Sequence, residues 1–202
     1  MSFLQNTRKP VGLGGKLLAK GMNSGTHAKL AAWGLDHLTI ADDAAILDAG
    51  CGGGANVKRL LEAAPKGQVT GLDYSDVSVE ETEKVNRTAI REGRCRVVQG
   101  DVSSLPFEDD SLDLVTAFET VYFWPDIEQT FAGIRRVLKP DGVFFICNES
   151  NGHDKEALKY SKIIDGMTLY DADQLTDLLK EAGFRDVVID INGVWLCVKA
   201  VC

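Results

Sequence analysis

The segment Ile46-Leu47-Asp48-Ala49-Gly50-Cys51-Gly52-Gly53-Gly54 constrains the fold more than any other part of this chain. An apolar run of strand length enters a cluster of glycines and leaves it into a helix-forming stretch at residues 55–64. Strand, glycine turn and helix in that order form the opening of a β-α-β unit, which requires a parallel sheet with helices packed on it. Glycines at 50, 52 and 54 remove side chains where the chain reverses sharply and where a ligand must approach the backbone closely.

The texture downstream agrees. Apolar runs predict strands at 44–49, 68–73, 95–99, 112–118 and 142–147, separated by helix-period segments at 55–64, 77–92 and 126–138. In the last of these, Ile127, Phe131, Ile134 and Leu138 recur at steps of four, three and four and form one apolar stripe. Asp171 caps a further helix whose Leu175, Leu178, Leu179 and Ala182 face the core, and Gly183-Phe184 ends it. Two strand-like runs at 187–191 and 194–201 then flank Asn192-Gly193, a hairpin signal. The expected fold is α/β: a parallel sheet finished by an antiparallel hairpin.

One domain of 202 residues is the expected organisation, with a core over 44–202. Residues 1–35 hold five bases (Arg8, Lys9, Lys16, Lys20, Lys29) and no acid, leaving 17 basic against 30 acidic residues in the remainder. So acidic a body disfavours nucleic acid as a partner. Five of the 20 glycines lie within residues 1–25, so this stretch is expected to be a basic arm, its apolar residues closing over the site as a lid. A short helix is expected to follow at about 24–33. No apolar run is long enough to cross a bilayer, and no export signal is read at the N-terminus. Five cysteines without a C-x-x-C pair or metal-like histidine spacing suggest reduced thiols in the cytoplasm and no metal site.

Three features fall at the ends of three successive strands. The glycine turn follows the first. Asp73, in Gly71-Leu72-Asp73-Tyr74-Ser75, ends the second, where a carboxylate can accept from both hydroxyls of a ribose. Asp101, in Gln99-Gly100-Asp101-Val102, ends the third and can accept from an adenine amino group. In an open α/β sheet these positions converge on one crevice, which points to an adenosine-type ligand. A G-x-G-x-x-A match at Gly50, Gly52 and Ala55 keeps a nicotinamide cofactor open on spacing alone.

From Ala44 to Cys202 the sequence resembles the class I S-adenosylmethionine-dependent methyltransferases. ILDAGCGGG resembles the family's first motif, GLDYS its second, QGDVSSLPFEDDSLDLV the third and the approach to strand four, and RRVLKPDGVFFI the segment into strand five. The resemblance implies the seven-stranded Rossmann-like fold with a C-terminal antiparallel strand, S-adenosyl-L-methionine as cofactor, and transfer of its methyl to a small-molecule acceptor by in-line displacement. It implies that Gly50, Gly52 and Gly54 lie against the methionine portion and that Asp48 helps to hold its amino group. Asp73 takes the ribose, Tyr74 lies beside the adenine, and Asp101 with the Val102 amide reads the adenine edge. Phe118 flanks the cofactor. Glu119, Tyr122 and His153 are the candidates for moving a proton, and Phe118, Phe123 and Trp124 for a wall of the acceptor pocket. The rival readings are a nicotinamide-dependent oxidoreductase and a non-catalytic binder of the same cofactor.

Overall fold

The computed structural model describes residues 25–202. The basic arm expected at the N-terminus, with its proposed closure over the site, lies outside the described residues except for Gly25. The first described helix, α1 (Thr26–Leu35), begins and ends two residues later than expected.

The sheet alternates with helices as the periodicity required: β1 (Ala45–Ala49), α2 (Ala55–Ala63), β2 (Gln68–Asp73), α3 (Asp76–Arg91), β3 (Cys95–Gln99) and β4 (Leu112–Phe118). They are followed by α4 (Ile127–Val137), β5 (Leu138–Asn148), α5 (Lys155–Tyr160), α6 (Ala172–Glu181), β6 (Arg185–Asn192) and β7 (Trp195–Val201). Seven strands form one sheet in the order β3-β2-β1-β4-β5-β7-β6. The first five run parallel, while β7 lies antiparallel to β5 and β6 antiparallel to β7. Chain order reverses direction between β1 and β4. A doubly wound sheet opens a crevice at that point, beyond the carboxyl ends of its strands.

Side chains alternate between the two faces, and both faces are covered. Leu47, Ala49, Val115, Phe144 and Ile146 pack with Phe131 and Ile134 of α4 and with Leu175 and Leu179 of α6. Their neighbours Ile46, Leu114, Phe145 and Cys147 pack on the other face with Leu30 of α1 and Val57 and Leu60 of α2. Gly34 lets α1 lie close on β5, because a Cβ there would stand 2.7 Å from the Cys147 sulfur. The far end of α1 is tied down by His37, whose Nδ1 lies 2.8 Å from the Trp33 carbonyl and whose Nε2 lies 2.9 Å from Asp190 of β6. Asp171 and Gln174 form a reciprocal cap at the start of α6, and Gly183 (φ 91°) ends it as expected.

Three further differences from the sequence expectation have a local physical cause. β5 begins at Leu138 rather than 142. Leu138 pairs with Leu112 before the register jumps to Leu114 with Val143, and residues 139–142 bulge out around Pro140 and Asp141 (φ 64°). The hairpin turns on Gly193 and Val194, not on Asn192-Gly193: Asn192 still pairs with Trp195, and Gly193 alone takes positive φ (65°). A glycine at the first central position is enough for this kind of two-residue turn. The third difference is α5, a short helix with too little apolar period to be read from sequence. Asp154 caps it by accepting from the Ala157 amide at 2.8 Å.

Candidate active site

The turn after β1 is held in a conformation that only glycine adopts without strain. Gly50, Gly52 and Gly54 have φ of 82°, 52° and 80°. The Gly50 and Cys51 amides donate to the Leu72 carbonyl at 2.8 and 3.0 Å, which fastens the turn to the tip of β2. Asp73 completes the fastening: one carboxylate oxygen accepts from the Gly52 amide at 3.0 Å and the other from the Ser75 amide at 2.9 Å. Its side chain is buried. Burial pushes the carboxyl pKa up, and the two amide bonds oppose that rise by favouring the carboxylate.

Helix α3 supplies supports that sequence reasoning missed. Thr82 donates its hydroxyl to the Gly52 carbonyl at 3.0 Å, and the Asn86 amide donates to the Gly54 carbonyl at 3.0 Å. These are buried polar residues one turn apart on a helix face, and that pattern is the signal that could have identified them. Thr120 likewise donates to the Ala49 carbonyl at 3.0 Å from the other side of the turn.

A cavity of about 570 Å³ opens over these strand tips. Gly50, Gly52, Asp73, Tyr74, Asp101 and Val102 line one end of it. Asp101 also caps the short 3-10 turn Val102–Ser104, accepting from the Ser103 amide at 2.9 Å. Phe118, Glu119 and Tyr122 line the other end, with Phe123 and Trp124 in the wall.

Three expected site residues do not reach the cavity wall. Gly54 faces α3, where a Cβ would stand 2.7 Å from the Thr82 Cα, so its role is to let helix and turn pack. Asp48 is only 1% exposed, and its carboxylate accepts from the Thr116 hydroxyl at 2.8 Å. Burial pushes its pKa up to about 7. His153 lies on the surface, with its side chain 75% exposed and its Nε2 3.9 Å from Asp171. A turn at Gly152 (φ 86°), held by the Gly152 amide on the Ser150 hydroxyl and the His153 amide on Asn151, carries it away from the site.

Sequence reasoning named Tyr122 beside Glu119 but missed two other companions, Glu149 and His27. Glu119 has positive φ (62°) at the end of β4, and its carboxylate accepts from the Glu149 amide at the end of β5. The Tyr122 hydroxyl donates to its second oxygen at 3.3 Å, and His27 Nδ1 of α1 lies 3.8 Å from that same oxygen. Burial, together with the Glu149 carboxylate, pushes the Glu119 pKa up to about 8, so its protonated and ionised forms are both accessible near neutrality. Tyr122 is pushed well above its ordinary value, first by burial and then by the charge of Glu119. Tyr160, Ile164 and Met167, from α5 and the segment after it, cover this end, and the Thr168 amide on the Tyr122 carbonyl (2.8 Å) ties that segment down.

The fold is a doubly wound α/β sheet with its cavity at the strand tips, where such sheets hold ligands. Residues 47–146 match the family described as a methyltransferase domain. The chain belongs to the class I S-adenosylmethionine-dependent methyltransferases. It is 30% identical over 142 residues to 24-methylenesterol C-methyltransferase 3 of Arabidopsis thaliana, a match over 68% of this chain and 39% of that protein. It is 28% identical over 167 residues to YrhH, a Bacillus subtilis protein named as a methyltransferase, over 83% of each chain. The chain thus spans well under half of the plant relative's length but most of the bacterial one's. Its fold matches that of a SAM-dependent methyltransferase from Aquifex aeolicus with a TM-score of 0.75 at 19% identity, covering 92% of this chain and 97% of that one. Among the described residues, no helix is long and apolar enough to cross a membrane.

Proposed function

We propose that this chain binds S-adenosylmethionine across the tips of β1, β2 and β3 and transfers its methyl group to a small-molecule acceptor held beyond Phe118 and Glu119. One observation carries the choice of cofactor: Asp73, Asp101, Glu119 and Glu149 line the cavity, and no lysine or arginine does among the described residues. A wall of carboxylates suits a cationic sulfonium and opposes the doubly anionic pyrophosphate of a nicotinamide dinucleotide.

The donor set fits the group. Asp73 offers paired carboxylate oxygens for ribose hydroxyls, and Tyr74, Asp101 and Val102 border the adenine end. The backbone of Gly50 and Gly52 leaves room for the methionine portion. When bound, S-adenosylmethionine supplies a methyl already activated by its sulfonium. The residues' task is then to align an acceptor, keep water out and take up a proton where the acceptor must lose one. Glu119, backed by Tyr122, is placed for that proton. Asp48 acts from behind, holding Thr116 of β4 against β1 and so positioning the turn.

The cavity continues past Glu119 to Tyr160, Ile164 and Met167, which leaves space for an acceptor and favours an enzyme over a binder that only senses the cofactor. The test is release of S-adenosylhomocysteine in the presence of a panel of metabolites with hydroxyl, amine, thiol and activated-carbon nucleophiles. Turnover with a member of the panel is expected. Cofactor binding without turnover on any class would favour the sensor.

A further inference from the structure

We propose that the acceptor is an amine, with an apolar body lying among Phe123, Trp124, Tyr160, Ile164 and Met167 and a protonated nitrogen held by His27, Glu119 and Glu149. The proposal rests on the methyltransferase reading above and adds the chemical class of its second substrate.

His27, Glu119 and Glu149 each turn a lone-pair-bearing atom into the same space, and these atoms lie within 4.8 Å of one another. All three residues line the cavity, at the end away from Asp73 and Asp101. An ammonium nitrogen with acceptors at about 2.9 Å in tetrahedral directions separates those acceptors by about 4.7 Å. The set therefore spans a distance that one ammonium bridges at ordinary hydrogen-bond length.

Charge argues the same way. A hydroxyl acceptor needs one proton-accepting group, whereas here two carboxylates share a partly buried space. Glu149 is one reason that the Glu119 carboxyl is pushed up to about 8. Like charges placed together in low dielectric are stabilised by a cation between them. No lysine or arginine among the described lining residues supplies one, and a cationic ligand does. An anionic acceptor meets only repulsion here. The aromatic rings of Tyr122, Phe123, Trp124 and Tyr160 in the wall suit both an apolar body and a cationic head.

The chemistry balances. The ammonium gives one N–H proton to the Glu119 carboxylate, which frees the nitrogen lone pair. That pair forms the N–CH3 bond as the S–CH3 bond breaks, and the electrons of the broken bond pass to sulfur, leaving a neutral thioether and a methylated ammonium. No metal, oxidant or reductant is required.

The experiment is titration calorimetry on the chain saturated with S-adenosylhomocysteine. The probes are 2-phenylethylamine and octylamine, each compared with the alcohol of the same carbon skeleton, on the wild type and on Glu149→Gln. At least one amine is expected to bind about tenfold or more tightly than its alcohol, and Glu149→Gln to erase that preference while leaving the alcohol's affinity unchanged. No amine preference in either pair, or a preference that survives in Glu149→Gln, overturns the proposal. So does one-to-one binding of Zn2+ or Mg2+ that Glu149→Gln abolishes, since it would assign the three groups to a metal ion. Should Glu149→Gln fail to fold, His27→Gln makes the same comparison from a different element. S-adenosylhomocysteine is titrated first: its failure to bind counts against the methyltransferase reading, and its binding followed by no amine preference counts against the amine alone.

Discussion

Replacing Glu119 by Gln should alter how the stability of the unliganded protein depends on pH. Glu119 has an ordinary value of 4.5 and is pushed up to about 8, chiefly by burial. The folded state therefore holds this proton more tightly than the unfolded chain does. The stability linked to it is fully present below pH 4.5, declines as pH rises, and is lost above about 8. At about 1.36 kcal/mol per pKa unit the shift corresponds to a ceiling of about 5 kcal/mol. The side chain is 18% exposed, and screening by water reduces the expected effect to about 2 kcal/mol. Gln is close to an isostere of the protonated acid and cannot ionise. The assay is urea unfolding of both proteins at pH 5 and pH 9. Asp48 and Asp73 also have raised values, but they contribute to both proteins and cancel in the comparison. Relative to wild type, the variant should gain about 2 kcal/mol between pH 5 and pH 9. A wild-type-to-variant difference that stays constant across this range would refute the argument that Glu119 is held protonated by its surroundings.

Asp73→Asn should weaken S-adenosylhomocysteine binding by about 2 kcal/mol or more and also lower the melting temperature, because the side-chain NH2 would face an amide donor from Gly52 or Ser75. Calorimetry and thermal unfolding read the two effects separately. Gly54→Ala should cost about 2 kcal/mol or more in urea unfolding, since its Cβ would press on the Thr82 backbone at a φ of 80°. His153→Ala should leave kcat/KM for any acceptor found within about twofold of wild type, a value inside the range of surface substitutions. A larger loss would restore His153 to the site.

The glycine turn, Asp73 and Asp101 were legible because each ends a strand whose apolar run is unmistakable, and strand ends in a parallel sheet share one edge. Phe118, Glu119 and Tyr122 were legible for the same reason at β4. What could not be read depends on contacts between segments distant in sequence. Glu149 meets Glu119 only because β5 lies beside β4, and His27 only because Gly34 lets α1 settle on β5. His153 follows β5 on the ligand side, as the sequence suggested, yet a single positive-φ glycine before it turns the side chain outward. The hairpin differed by one residue because Asn192-Gly193 and Gly193-Val194 both place a glycine where positive φ is needed, and strand pairing selects between them.

The most direct test of the account is calorimetric titration of the purified chain with S-adenosylmethionine, S-adenosylhomocysteine and NAD. A cleft lined by carboxylates, with Asp73 at the ribose position and no described lysine or arginine, should bind the first two at one site per chain with micromolar-range affinity and should not bind NAD. Heat from NAD with none from either sulfur compound would contradict the assignment of the cavity and the function built on it.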